Sequence, residues 1–223
     1  MNARCSLIIL TYNQQKFIHE AVKAALKQTG EPIEIIISDD ASSDNTYAVI
    51  EQTIAGYTGP HKIVTNRNSK NMGIIAHTNK IVDISKGEIL IPSYGDDISL
   101  PNRSSRIITE FDKHTPLLTH SHAIPIDEDG KKVKSKYHES IFFKTIDPLA
   151  ISTSLSHYLG ASGAWHRNLF TKYGPIRSKL VYDDHILGFR AALEKRVLLI
   201  NEPLLYYREV VVISHSKNNN LSK

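Results

Sequence analysis

The chain is expected to fold as a single α/β domain, with a mixed but mainly parallel sheet in a Rossmann-like sandwich. Three observations predict it. Short apolar, β-branched runs alternate with amphipathic segments through the first half of the 223 residues, the signature of strand–helix–strand units. The run Ile35-Ile36-Ile37 has no polar alternation, as in a strand buried on both faces of a parallel sheet. Polar clusters follow directly after such runs: Tyr12-Asn13, Asp39-Asp40 and Asp96-Asp97. Open α/β sheets bind ligands beyond the carboxyl ends of their strands.

The elements follow in order. Ser6 to Tyr12 is apolar and continues into an amphipathic segment without a small-residue cleavage site, so it reads as a buried strand and not as a leader. From Gln14 to Gln28, residues Phe17, Ile18, Ala21, Val22, Ala25 and Leu26 share one face at helical spacing. Gly30 and Pro32 end that helix, and Glu34 to Ser38 is the second strand. Asp44 can cap a helix to about Tyr57. His61 to Thr65, Ile74 to Ile84 and Glu88 to Ile91 read as strand, helix and strand, and Pro101 opens a helix to Lys113. The second half is less regular. Leu117 to Ile126 is a strand, Asp127-Glu-Asp-Gly130 a hairpin turn and Lys131 to Val133 the return strand. Pro148 to His157 is helical, Ala161 to Trp165 a strand with Trp165 in the core, and Arg167 to Tyr173 a short helix. Asp183 to Lys195 is a helix, and Val197 to Ile200 and Leu204 to Arg208 are two strands. The domain spans residues 1–216, and the polar tail 217–223 is expected to be disordered.

Composition excludes several functions. Hydrophobic residues make up 41% and charged residues 22% of the chain, an ordinary globular balance. A net charge of +4 without a dense basic block interleaved with aromatics speaks against nucleic acid as a partner. Lys131, Lys132, Lys134 and Lys136 form the largest basic cluster. They read as a solvated loop, with attraction to an anionic nucleotide or membrane surface as the functional alternative. A single cysteine, Cys5, cannot form an internal disulfide, which fits a reducing compartment.

The most informative stretch is Ser6-Leu-Ile-Ile-Leu-Thr-Tyr-Asn13, then Gln28, then Asp39-Asp40-Ala-Ser42-Ser-Asp44-Asn-Thr46. A carboxylate at a strand's end can accept the imide N–H of a uracil ring, and a tyrosine face can stack on it. Asp commonly caps turns instead. Together these segments resemble glycosyltransferase family 2, and the likeness extends to about residue 215. The motifs Asn71-Met-Gly73 with Asn79, Gly87-Glu-Ile-Leu-Ile-Pro-Ser-Tyr94-Gly-Asp96-Asp97 and Tyr182-Asp183-Asp184-His-Ile-Leu187 with Arg190 carry it through the chain.

The resemblance implies the GT-A fold, with residues 1–100 as the nucleotide-sugar half and 101–216 as the acceptor half. It implies an inverting transfer from a nucleotide diphosphate sugar, UDP-linked, to a hydroxyl of a glycan or glycolipid in surface polysaccharide assembly. Such work is cytoplasmic, at the inner face of the membrane, with peripheral membrane association. Thr11, Tyr12, Asp40, Gly73 and Asp96 would bind the donor. Asp96 and Asp97 would hold Mn²⁺ or Mg²⁺, with the direct ligand left open between them. Asp184 would be the general base. Two departures stand out. The common Asp-x-Asp-Asp is Tyr94-Gly-Asp96-Asp97 here, one carboxylate short, and Asp183 replaces the usual Glu. The missing carboxylate keeps open a catalytically inactive glycan- or nucleotide-sugar-binding protein of the same fold. A phospho-acceptor module would leave residues 117–215 unexplained. A dinucleotide-dependent oxidoreductase needs Gly-x-Gly-x-x-Gly where this chain has Thr-Tyr-Asn-Gln. Of the remaining features, His120-Ser-His122 lacks a third metal ligand. Arg208 could reach a phosphate, and His215 could approach the metal or pyrophosphate.

Overall fold

The computed structural model describes residues 4–134, 147–153, 158–177 and 182–209. Its strands are β1 (Cys5–Thr11), β2 (Glu34–Asp39), β3 (Lys62–Arg67), β4 (Ile89–Tyr94), β5 (Ile98–Ser99), β6 (Leu118–Ile126), β7 (Ala164–His166) and β8 (Val197–Arg208). Its helices are α1 (Ile18–Leu26), α2 (Thr46–Ile54), α3 (Ile74–Ile84), α4 (Arg103–His114), α5 (Pro148–Thr153), α6 (Asn168–Tyr173) and α7 (Asp183–Leu193). One eight-stranded sheet has the order β3-β2-β1-β4-β7-β6-β8-β5. The first four neighbours are parallel, β7 and β5 run antiparallel to their neighbours, and β6 and β8 are parallel. The expected mixed, mainly parallel α/β sheet is the one observed.

The pleat explains the burial on both faces. Leu7, Ile9, Ile35 and Ile37 point into a core with Ile18, Val22, Ile50, Ile107 and Phe111 of the helices. Ile8, Leu10 and Ile36 face the opposite core with Ile81, Trp165, Leu169 and Leu187. Alternate residues thus serve opposite faces. Each fully buried side chain of this size contributes about 1.5–3 kcal/mol, and this two-sided burial holds the strand ends in fixed positions.

Several predicted boundaries shift. α1 begins at Ile18 and not at Gln14, because Gln14 closes a turn whose carbonyl takes the N–H of both Phe17 and Ile18. α2 ends at Ile54, short of Tyr57, where Gly56 adopts φ 75°. β4 runs on past Ile91 to Tyr94 in spite of Pro92. The Pro92 carbonyl accepts a bond from Arg103, away from β1. The missing N–H lies on that same side, so the β1 ladder loses nothing. The return strand at Lys131 to Val133 is reduced to one bridge between Ile126 and Lys132 after the Asp127–Gly130 turn. Ala161 lies in a 3-10 turn (Gly160–Ser162) ahead of β7. The two C-terminal strands are one, β8, in which Pro203 sits opposite His122 where the register with β6 shifts. A bulge is where a strand tolerates proline. The predicted helix at Pro148 is present to Thr153. Residues 154–157, the tail 217–223, Lys136 and His215 lie outside the described residues.

The amino end of the sheet is pinned by a buried acid. Glu34 Oε2 accepts bonds from Ser6 Oγ (2.7 Å) and the Lys86 amide (2.8 Å), and Ser6 Oγ accepts the Gly87 N–H (2.9 Å). A Cβ on Gly87 would lie 2.5 Å from the Ser6 nitrogen and 2.6 Å from the Cys5 carbonyl carbon. Gly87→Ala is therefore expected to lower stability by roughly 1–3 kcal/mol through forced backbone displacement. Urea denaturation checks this, and an unchanged midpoint would contradict the close approach.

Candidate functional site

The carboxyl ends of β1 and β2 are stitched together by the Asp-Asp-Ala-Ser-Ser-Asp-Asn-Thr segment. Asp39 accepts the Ser42 N–H (3.0 Å) and the Ser42 hydroxyl and pairs with Arg67 (3.4 Å). Ser42 Oγ takes the Asn13 N–H, and Asn13 Oδ1 takes the Ser43 N–H. Asp44 Oδ1 accepts the Thr46 N–H at the start of α2, while Thr46 Oγ1 accepts the Gln14 N–H. Asn13 and Ala41 sit at φ 52° and 60°. This left-handed backbone is uncommon outside glycine, and the surrounding bonds hold it.

That division of labour separates the first acid pair. Asp39 does the turn work, and Asp40, also buried, lines the smaller cleft. Asp40 Oδ1 accepts Asn68 Nδ2 (2.7 Å), Gly73 N–H reaches Oδ2 (3.0 Å), and Met72 N–H is shared between both oxygens (3.0 and 3.1 Å). A carboxylate has about four lone-pair sites, so three donors leave room for one more. Asp40, Thr11, Tyr12, Asn71, Gly73, Ile74 and His77 line a cleft of 270 Å³. Tyr12 is 45% exposed there, leaving its ring face available. Gly73 adopts φ 76°, a conformation that glycine supplies without strain. Burial pushes the His77 imidazole pKa below its ordinary value. Asn79, the last residue of the motif that opens at Asn71, exchanges two bonds with the Ile176 backbone (2.8 and 2.9 Å).

The second and third acid pairs share a larger cleft of 610 Å³. Asp96 and Asp97 stand at its floor after β4, and Asp183 and Asp184 at the head of α7. Asp97 is 1% exposed, and its Oδ1 accepts the Arg208 N–H (3.1 Å), while Oδ2 is buried with no partner. Burial, then the charge of Asp96, pushes its pKa well above the ordinary carboxylate range. Burial also raises Asp96, against a bond from Gln14. An unsatisfied buried carboxylate oxygen is costly, and a cation at that oxygen would relieve it. Among the described residues no three metal-binding side chains converge. Mg²⁺-type ions commonly take only one or two protein carboxylates beside substrate phosphates, so the pair fits such an ion.

A buried guanidinium underlies this floor. Arg103 donates to Ser99 Oγ (3.0 Å) and to the carbonyls of Pro92 (2.9 Å), Ala161 (2.6 Å) and Gly163 (3.4 Å). It joins β4 and β5 to the 3-10 turn. Burial brings its pKa down to about 10, with Asp97 acting in the opposite direction. Arg208 is committed in the same way. Its guanidinium bonds the carbonyls of Asp96, Asp127 and Glu128 and the Glu20 carboxylate (2.6 Å), with its face 4.6 Å from the Phe17 ring centroid. It is a structural tie and not a free phosphate ligand. Gln28 likewise bonds Leu100 and Ser104 below the site.

Four tyrosines, Tyr94, Tyr158, Tyr182 and Tyr207, line the larger cleft with the acids. Of these, Tyr158 was not singled out from sequence, nor was the shared wall residue Gln14 as a site residue, and Tyr182 entered only as the residue before the Asp183-Asp184 motif. Trp165 is in the core, with its indole N–H on the Tyr158 hydroxyl (2.9 Å). His120 is buried against Tyr158 and His122 bonds Asn201 (3.0 Å), so neither forms a metal cluster among the described residues.

A mainly parallel sheet with nucleotide-sized and acidic clefts at its carboxyl edge defines a GT-A-type α/β domain. The profile of Glycosyl transferase family 2 matches residues 6–174, and the chain belongs to that family. It is 32% identical over 206 residues to an uncharacterized protein of Mycobacterium tuberculosis, covering 91% of this chain and 58% of the relative. The chain thus spans under two thirds of that relative's length. It is 28% identical over 214 residues to an uncharacterized glycosyltransferase of Methanocaldococcus jannaschii, covering 91% and 70%. The fold resembles S. aureus TarS 1-349 in complex with UDP-GlcNAc (TM-score 0.72, 20% identity, 92% and 58% of the two chains). It also resembles the mannosyltransferase PcManGT from Pyrobaculum calidifontis in complex with GDP-Man and Mn²⁺ (TM-score 0.75, 16% identity, 96% and 59%).

The third acid pair carries a pH signature. Burial, then the charge of Asp184, pushes the Asp183 pKa up to about 6. Burial also raises Asp184, partly offset by the His185 N–H. The unfolded chain releases these protons near the ordinary value of about 4. Between about pH 4 and 6 the native state therefore binds more protons, and stability falls as pH rises. Asp183→Asn is expected to make that fall shallower, as read from urea midpoints across this window. An unchanged slope would mean that Asp183 ionises without penalty.

Proposed function

We propose that this domain is an inverting, metal-dependent glycosyltransferase using a UDP-linked sugar and a hydroxyl acceptor, in surface polysaccharide or glycolipid assembly. The observation that carries the reading is the run of the two clefts along one sheet edge, with Gln14, Ile74 and Tyr94 lining both. A nucleoside in the smaller cleft would project its diphosphate and sugar toward the acid pairs. Similar structures hold UDP-GlcNAc or GDP-Man with Mn²⁺, which supports a nucleotide-sugar donor and a divalent ion.

In this reading Tyr12 stacks on the base and the remaining Asp40 lone pair accepts its imide N–H. Thr11 and Gly73 line the same pocket, and Asp96 borders the donor diphosphate. Asp97 Oδ2 and Asp96 would hold Mn²⁺ or Mg²⁺, which offsets leaving-group charge when bound. Asp184, half-exposed at the head of α7, takes the acceptor hydroxyl proton as that oxygen attacks the anomeric carbon. The bond to the diphosphate breaks on the opposite face, giving inversion. Among the described residues no helix is long and apolar enough to cross a membrane. We place the enzyme in the cytoplasm, peripherally at the inner membrane face, on chemistry alone: nucleotide sugars meet membrane-bound acceptors there.

Two experiments test the reading. Asp184→Asn is expected to lower turnover by ~10²–10⁴-fold, the scale of a general base, while UDP affinity holds. Asp184 Oδ1 accepts the His185 N–H in the first turn of α7, a bond an Asn oxygen can also accept, so near-normal turnover would reduce Asp184 to a structural role. Asp97→Ala is expected to abolish the gain in UDP affinity that Mn²⁺ gives over EDTA, measured by calorimetry. Equal UDP affinity of the unmodified chain with Mn²⁺ and EDTA would end the metal reading.

A further inference from the structure

Tyr94 occupies the wall between the two clefts, at the last position of β4 opposite Leu10. Its ring packs against the core cluster that holds Tyr158 and lines the larger cleft with the acid pairs, yet its hydroxyl has no hydrogen-bond partner among the described residues. A phenol is a proton donor at neutral pH. Here it points into a space bounded by carboxylates, which can only accept. Gly160 faces the same space. A Cβ built there would lie 3.3 Å from Asp184 Oδ2, 3.4 Å from Asp184 Cβ and 3.6 Å from the Tyr94 hydroxyl oxygen. The Gly160 backbone is not left-handed, so its conformation does not call for glycine; the space in front of Asp184 does. A hydroxyl donor, an acceptor carboxylate and a missing side chain thus meet at one point, on the side of the larger cleft away from the Asp40 pocket.

We propose that Tyr94 is a specificity-determining residue for the transferred sugar: its hydroxyl donates a hydrogen bond to an oxygen of that sugar, in a subsite that Gly160 keeps open. This rests on the glycosyltransferase reading. The ligand that fits is a pyranose joined to a nucleoside diphosphate, whose hydroxyl or ring oxygen accepts the phenolic hydrogen bond beside Asp184.

The test compares nucleotide sugars with their bare diphosphates, so that the sugar's own increment is read. Calorimetry with Mn²⁺ would use UDP-glucose, UDP-galactose, UDP-N-acetylglucosamine and GDP-mannose, each beside UDP or GDP. Tyr94→Phe is expected to weaken the best-bound nucleotide sugar by about threefold to tenfold, the range of one neutral hydrogen bond. Affinity for the matching diphosphate should stay within about twofold of the unmodified chain, which also reports an intact fold. Gly160→Ala should reduce the same sugar increment by crowding, again sparing the diphosphate. An unchanged sugar increment in Tyr94→Phe overturns this assignment alone. Equal losses for sugar and diphosphate also overturn it, because Tyr94 would then act on the nucleotide or on packing. Failure of the unmodified chain to bind any of these ligands overturns the glycosyltransferase reading and this inference with it.

Discussion

The site depends on a guanidinium sealed beneath it. Arg103 is fully buried, and its bonds to Ser99, Pro92, Ala161 and Gly163 tie the ends of two strands to a turn from a distant part of the chain. Burying a cation is costly unless hydrogen bonds and an opposite charge offset it. Oxygen acceptors take the Nη donors, the Nε is left without a partner, and Asp97 lies near as the opposing charge. Arg103 and the acid floor are therefore mutually dependent. The cation lowers the cost of keeping Asp97 in the interior, and Asp97 lowers the cost of keeping the cation charged.

The same economy explains why six aspartates at one sheet edge do not behave alike. Asp39 is saturated by its own turn and by Arg67. Asp40 is nearly saturated by backbone N–H groups that belong to a different loop. Asp97 is left with one empty oxygen. Asp183 and Asp184 have raised proton affinities because burial outweighs their hydrogen bonds and, for Asp184, the neighbouring His185. Environment, more than residue type, separates structural acids from those available for chemistry.

The first half of the fold was legible because each parallel strand is buried on two faces and advertises itself as an apolar run, as Ile35 to Ile37 do. The candidate residues Tyr12, Asp40, Asp96 and Asp97 follow strands directly and stood out by position, and together with Thr11, which the family resemblance added, they line the two clefts. The second half was less legible for a physical reason. β7 is three residues long and β8 passes through a register shift at Pro203, so neither has a clean period. Tyr158 enters the cleft from an irregular segment whose spacing carries no repeat. Arg208 looked available because sequence shows its charge but not its five commitments.

Those commitments set an order on biogenesis. The Arg208 amide and guanidinium fasten Asp97, Asp96, Glu20 and the Asp127–Glu128 turn across separations of up to 188 residues. Contacts so distant in sequence close late, after the loop entropy between them has been overcome. A nascent chain emerging from the ribosome can lay down the parallel β1–β4 ladder early. It cannot finish the acidic floor until β8 has been translated and released. Clipping ahead of Arg208 would remove in one cut the ties on Asp96, Asp97, Glu20 and the Asp127–Glu128 turn.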